Sequence, residues 1–74
     1  MVTNVDVLQA LEGIDVSTPI ADINVDVPLV KQGLDSMDMA TLVLALESKY
    51  TKTILPEQAA RLRTVSHIVA FLNS

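Results

Sequence analysis

Gly33-Leu34-Asp35-Ser36-Met37-Asp38, running on into the apolar stretch from Met39 to Tyr50, decides the fold. A short oxygen-bearing side chain at a helix start accepts a hydrogen bond from the unpaired N–H groups of the first turn, so Asp35 or Ser36 is the N-cap. The helix then runs from about Ser36 to Tyr50. Asp38 lies three residues after Asp35, where a capping box needs an acceptor. Gly33 precedes the cap and lets the chain turn sharply into the helix. A serine is thereby presented at a helix start between two carboxylates.

At about 100° per residue, Met39, Leu42, Val43, Leu46 and Tyr50 fall on one arc of this helix and form its core face. Met37, Thr41, Leu44, Ala45 and Ser48 lie opposite, with Ala40 at the margin. Two readings account for that second stripe. Either the helix is central in a small bundle and buried nearly all round, or the stripe is an exposed apolar patch beside Ser36 that docks a partner.

Upstream, Thr3 or Asn4 caps a first helix of about Asn4 to Glu12, with Asp6 in its first turn and Gly13 as its stop. Val7 and Leu11, and Val5, Leu8 and Leu11, repeat at helical spacing and give it an apolar face. From Ile14 to Asp35 the helical pattern dissolves, leaving a loop of about 20 residues, longer than most loops in compact domains. Asp22 to Val27 alternates polar and apolar like a strand, but no other segment alternates for as long. The segment is expected to be extended loop, with a short turn around Pro28 to Gln32 and with Ile20, Ile23, Val27, Leu29 or Val30 plugging gaps between helices. Asp22, Asn24 and Asp26 match the opening of a calcium loop, and the match ends there, since Val27 stands where Gly is needed and Gly33 where Glu is needed. Solvated loop acids are the better account.

Downstream, Pro56 suits the first position of a short third helix followed by Glu57, Gln58, Ala59, Ala60 and Arg61. Thr64 caps a last helix in which Val65, Ile68, Val69 and Leu72 make an apolar stripe. His67 stands on its polar side without a second ligand at metal-binding spacing. The whole reads as all-α: a small four-helix bundle, its third helix short, with a long loop between helices 1 and 2.

The bulk properties bound the chemistry. Seventy-four residues make one small domain, which buries only about 60% of its unfolded surface and has no room for a deep enzyme cleft. Tyr50 and Phe71 are the only aromatic residues, so Leu, Val, Ile, Ala and Met build the core. With no cysteine there is no disulfide, thiolate metal site or thiol nucleophile, and thioester chemistry would need a sulfur from a prosthetic group. A serine without a histidine base excludes the usual triads and dyads, so the chain is read as a substrate for enzymes rather than an enzyme. No apolar run nears the roughly 20 residues of a membrane span, and no basic-then-apolar leader opens the chain. Cytoplasmic location without membrane insertion is the expectation. The net charge of −4 argues against nucleic acid, and the distribution is uneven: −5 over residues 1–36 and +1 over residues 37–74.

The stretch from Gly33 to Asp38, with Leu42 to Glu47 after it, resembles the acyl carrier protein family, and the likeness runs through Thr64-Val65 to Phe71-Leu72. In that family an Asp-Ser-Leu or Asp-Ser-Met motif carries 4'-phosphopantetheine on the serine. The resemblance implies that residues 1–74 form a single, monomeric carrier domain. A phosphopantetheinyl transferase would load Ser36, flanked by Asp35 and Met37, from coenzyme A. The arm's thiol would then hold an acyl group as a thioester for the acyl-loading and acyl-processing enzymes of fatty acid, lipid or related biosynthesis. It also implies that Asp35 and Asp38 help the transferase hold its metal ion and orient the serine. Met37, Ala40, Thr41 and Leu44 would face partner enzymes, together with Asp35, Asp38 and Glu47.

The chain departs from the fatty-acid carriers by having Thr41, Ser48 and Lys49 on this face, and Arg61 and Arg63 further on, where those carriers place acids. That points to a specialised carrier with its own partners. Aminoacyl or polyketide intermediates are the alternative cargoes. The rival from another class is an unmodified helical interaction module in which Ser36 only caps a helix. A DNA-binding helix-turn-helix ranks below both, because the second helix has no cluster of base-reading side chains.

Overall fold

Thr3 starts the first helix. Its hydroxyl accepts the Asp6 N–H at 3.4 Å while the Asp6 carboxylate accepts the Thr3 N–H at 2.9 Å, closing a capping box. In the computed structural model, which describes residues 1–14, 16 and 18–74, four α-helices follow in order: α1 Asn4–Gly13, α2 Ser36–Tyr50, α3 Pro56–Ala59 and α4 Val65–Leu72. Two 3₁₀ turns, Ile20–Asp22 and Leu29–Gln32, interrupt the α1–α2 loop. No strand occurs among the described residues, and no helix is long and apolar enough to cross a membrane. The all-α, four-helix expectation holds. Asp15 and Ser17, which the sequence reading places in the long loop, lie outside the described residues.

The core is aliphatic. Val7 and Leu11 of α1, Leu42 and Leu46 of α2, and Val65 of α4 are all fully buried, and Ile68 of α4 is almost so. Full burial of such a side chain stabilises the fold by about 1.5–3 kcal/mol. α1 packs against both α4 and α2. Two α1 expectations fail. Val5 is 59% exposed, because Val7 and Leu11 alone set the buried stripe of a ten-residue helix. Gly13 does not stop α1 but is its last residue, and the C-cap is Ile14, whose N–H reaches back to Leu11 and Glu12 carbonyls.

The long loop is held by packing and by polar clasps. Ile23, Leu29 and Leu34 are buried in the core as plugs, whereas Val30 is exposed at 59%: in the 3₁₀ turn Leu29 points inward and its neighbour outward. The Gln32 side chain accepts the Asn24 N–H at 2.7 Å and donates to the carbonyls of Asn24 and Val27, both at 2.9 Å. The Thr18 hydroxyl donates to the Gln32 carbonyl. The loop is tied to the start of α4 by Leu29 N–H to Arg63 C=O at 2.8 Å and Ser66 N–H to Val25 C=O at 3.0 Å. The Ser66 hydroxyl donates to the Asp26 carboxylate at 2.8 Å. These tertiary bonds replace the strand pairing that the alternation of Asp22 to Val27 would otherwise require.

At the other end, α3 is a single turn of four residues with Pro56 at its first position. The expected helical run therefore breaks into turns before Arg61. Thr64 caps α4 by accepting the His67 N–H at 3.0 Å, and His67 itself is exposed.

Candidate functional site

Gly33 ends the second 3₁₀ turn with φ at 99°, a left-handed conformation that a residue with a Cβ adopts only at a cost. That reversal carries the chain from the buried Leu29 to the buried Leu34 and then directly to the start of α2. Asp35 is the N-cap. Its carboxylate accepts the Asp38 N–H at 2.8 Å and the Asp38 carboxylate accepts the Asp35 N–H at 3.2 Å. Of the two residues that qualify for the cap, Asp35 takes the role and Ser36 becomes the first residue of the helix.

Ser36 is exposed, and so are Met37, Ala40, Thr41 and Leu44 beyond it. Met37 retains 76% and Leu44 66% of its accessible surface, which rules out a helix buried nearly all round. The exposed Thr41 donates its hydroxyl back along the helix to the Met37 carbonyl at 3.0 Å. The core arc is as expected, with Leu42 and Leu46 fully buried and Met39, Val43 and Tyr50 half-buried.

Glu47, grouped with this face by the family resemblance, is half-buried and already engaged. Its carboxylate accepts the N–H of the buried Ile54 at 2.9 Å and so ties the α2–α3 connection to α2.

Two grooves that share lining residues lie along the exposed stripe. Ser36 opens the first, ≈ 420 Å³, together with Pro28, Val30, Lys31, Met39 and Arg63. The second, ≈ 500 Å³, lies between α2 and α3 and is lined by Met39, Ala40, Val43, Leu44, Ile54 and Pro56. Ala59 and Ala60 border both, as Met39 does. Sequence reasoning did not find Val30, Ala59, Ala60, Lys31 or Arg63 as site residues. The small residues at 59 and 60 were the available signal, since alanines on a short helix leave space where larger side chains would fill it.

A family model described as a phosphopantetheine attachment site matches residues 5–72, from α1 to the end of α4. The chain belongs to that family. This phosphopantetheine-attachment domain is also similar to an acyl carrier protein of Helicobacter hepaticus (strain ATCC 51449 / 3B1), at 40% identity over 40 residues. That match covers 54% of this chain and 53% of the relative, so the chain spans about half the length of the relative it matches.

The family's covalent group is 4'-phosphopantetheine, and the residues present fit it. An exposed primary hydroxyl stands at a helix N-terminus, where the dipole favours a phosphate. Ser36 borders one groove, and a second, apolar groove between α2 and α3 shares Met39, Ala59 and Ala60 with it. The group would supply the thiol that a chain without cysteine lacks.

Proposed function

We propose that this domain is an acyl carrier whose attachment residue is Ser36. The observation that carries the proposal is the division of labour at the start of α2: Asp35 makes the cap, and Ser36 is left exposed beside a groove that it helps to line. A serine needed as a cap would be tied to the backbone of its own helix. Here a phosphopantetheinyl transferase reaches Ser36 Oγ without breaking the fold. The oxygen loses its proton and attacks the pyrophosphate of coenzyme A, forming the phosphodiester as the P–O bond to adenosine 3',5'-bisphosphate breaks and that group leaves. Asp35 and Asp38 stand on either side of that hydroxyl in sequence, rigidly held by each other, where they orient the serine for the transferase.

The exposed stripe of Met37, Ala40, Thr41 and Leu44 docks the transferase and the acyl-loading and acyl-processing enzymes. Its apolar surface next to a modified residue, bordered by polar groups, is the composition of an interaction patch. Fatty acid or lipid biosynthesis is the setting this reading favours, with residues 1–74 acting as one carrier domain, monomeric and in the cytoplasm. The groove between α2 and α3 gives an aliphatic cargo an apolar surface to lie against between encounters.

Intact-protein mass spectrometry of apo protein incubated with coenzyme A and a broad-specificity transferase tests the attachment. Wild type gains one phosphopantetheinyl arm and Ser36→Ala gains none; no gain on wild type makes the chain an unmodified interaction module. Loading of the modified protein with acyl, malonyl and aminoacyl donors then separates an acyl carrier from a carrier of polyketide or amino-acid intermediates.

A further inference from the structure

We propose that Lys31 and Arg63 form an anion seat for the phosphodiester that joins the arm to Ser36, and that this seat lays the arm along the groove between α2 and α3. The proposal rests on the reading of Ser36 as the attachment residue and gives that site a direction.

The two cations are far apart in sequence and are brought together by the backbone. Leu29 N–H donates to Arg63 C=O at 2.8 Å, so the second 3₁₀ turn, which carries Lys31, lies against the segment leading into α4. Lys31 and Arg63 consequently line the same groove as Ser36. Among the described residues, no acid lines that groove. Asp35 and Asp38 are locked into their reciprocal cap beside it.

A phosphodiester on Ser36 Oγ bears one negative charge at the point where these two regions meet. The carboxylates repel it and the cations attract it, so the field around Ser36 is directional. A planar guanidinium offers paired donors that suit phosphate oxygens, and an ammonium adds a compact second charge. The rest of the arm follows from where the phosphate sits. Met39, Ala59 and Ala60 line both the Ser36 groove and the larger apolar groove, so an arm seated at Lys31 and Arg63 has those three side chains beside it on the way to the α2–α3 groove.

The test uses holo protein with a free thiol and no cargo, in wild type, Lys31→Ala, Arg63→Ala and the double variant, each first weighed intact. The readouts are the phosphorus NMR shift of the phosphodiester and the methyl shifts of Met39, Ala59 and Ala60 on going from apo to holo protein, at low and high salt. The seat predicts methyl shifts in wild type that shrink toward apo values in the double variant and at high salt. It also predicts a phosphorus shift that differs between wild type and the double variant, and substantial recovery of the wild-type pattern in Lys31→Arg. Unchanged melting temperatures of the apo variants show that the fold is intact. Identical phosphorus and methyl signals in wild-type and double-variant holo protein overturn the seat and leave the attachment residue standing. Absence of any arm on wild type overturns the attachment reading and the seat with it.

Discussion

At the residue scale, the start of α2 gives the cap to Asp35 and leaves the next residue, Ser36, free of that duty. Asp35 satisfies the helix end, and Ser36 stays exposed as the proposed attachment residue. Losing a cap of this kind costs about 1 kcal/mol. In a domain of this size that lowers the melting temperature by about 4–8 °C. Asp35→Ala is expected to show that fall in a circular-dichroism melt, whereas Ser36→Ala changes stability by no more than about 0.5 kcal/mol. Equal losses from both would mean that Ser36 shares the cap. The other capping box makes a pH prediction. The Thr3 backbone N–H, aided by its hydroxyl, holds the Asp6 carboxyl below its ordinary value of 3.8. The folded state therefore takes up this proton less readily than the unfolded chain. Its contribution is complete above the unfolded value and is lost as pH falls through the folded one, so the affected window lies below about pH 4. Urea unfolding midpoints measured against pH should fall less steeply in that window for Asp6→Asn, and an unaltered acid limb would contradict the assignment.

At the scale of elements, α2 faces two ways, and substitutions should sort by face. Leu42→Ala is expected to cost about 2–5 kcal/mol, a large share of the stability of so small a domain. Leu44→Ala is expected to stay within about 0.5 kcal/mol while raising the transferase's KM for the domain. Denaturant unfolding and loading kinetics check the pair, and a core-sized stability loss at Leu44 would remove it from the docking surface. The two faces were legible because helical periodicity places Leu42 and Leu44 about 160° apart, and capping, being local chemistry, assigned Thr64 outright and narrowed the other two caps to Thr3 or Asn4 and to Asp35 or Ser36. What was not legible depended on distant partners. Glu47 looks like a surface acid until the Ile54 N–H is found against it, and Lys31 and Arg63 share a groove only because a backbone bond joins Leu29 to Arg63. Val30 misled because a 3₁₀ turn does not follow the alternation of the residues before it. The end of α2 carries no glycine signal either, since Thr51 itself takes the left-handed conformation at φ 51°.

At the scale of the whole molecule, an aliphatic core and a groove between α2 and α3 suit a domain that shelters an apolar chain and releases it to partners. Burial of each methylene is worth about 0.8 kcal/mol when complete. Sheltered cargo stabilises only the folded state, so acyl forms should melt above the free-thiol form, with the gain growing with chain length until the groove is full. Equal melting temperatures for the free-thiol and long-chain acyl forms would show that the cargo stays outside. The proposed carrier function depends on one covalent bond at Ser36. The decisive measurement is intact and fragmentation mass spectrometry of the protein purified from its native source. The account predicts a single phosphopantetheinyl arm located on Ser36, and an unmodified chain, or an arm on any other residue, would contradict it.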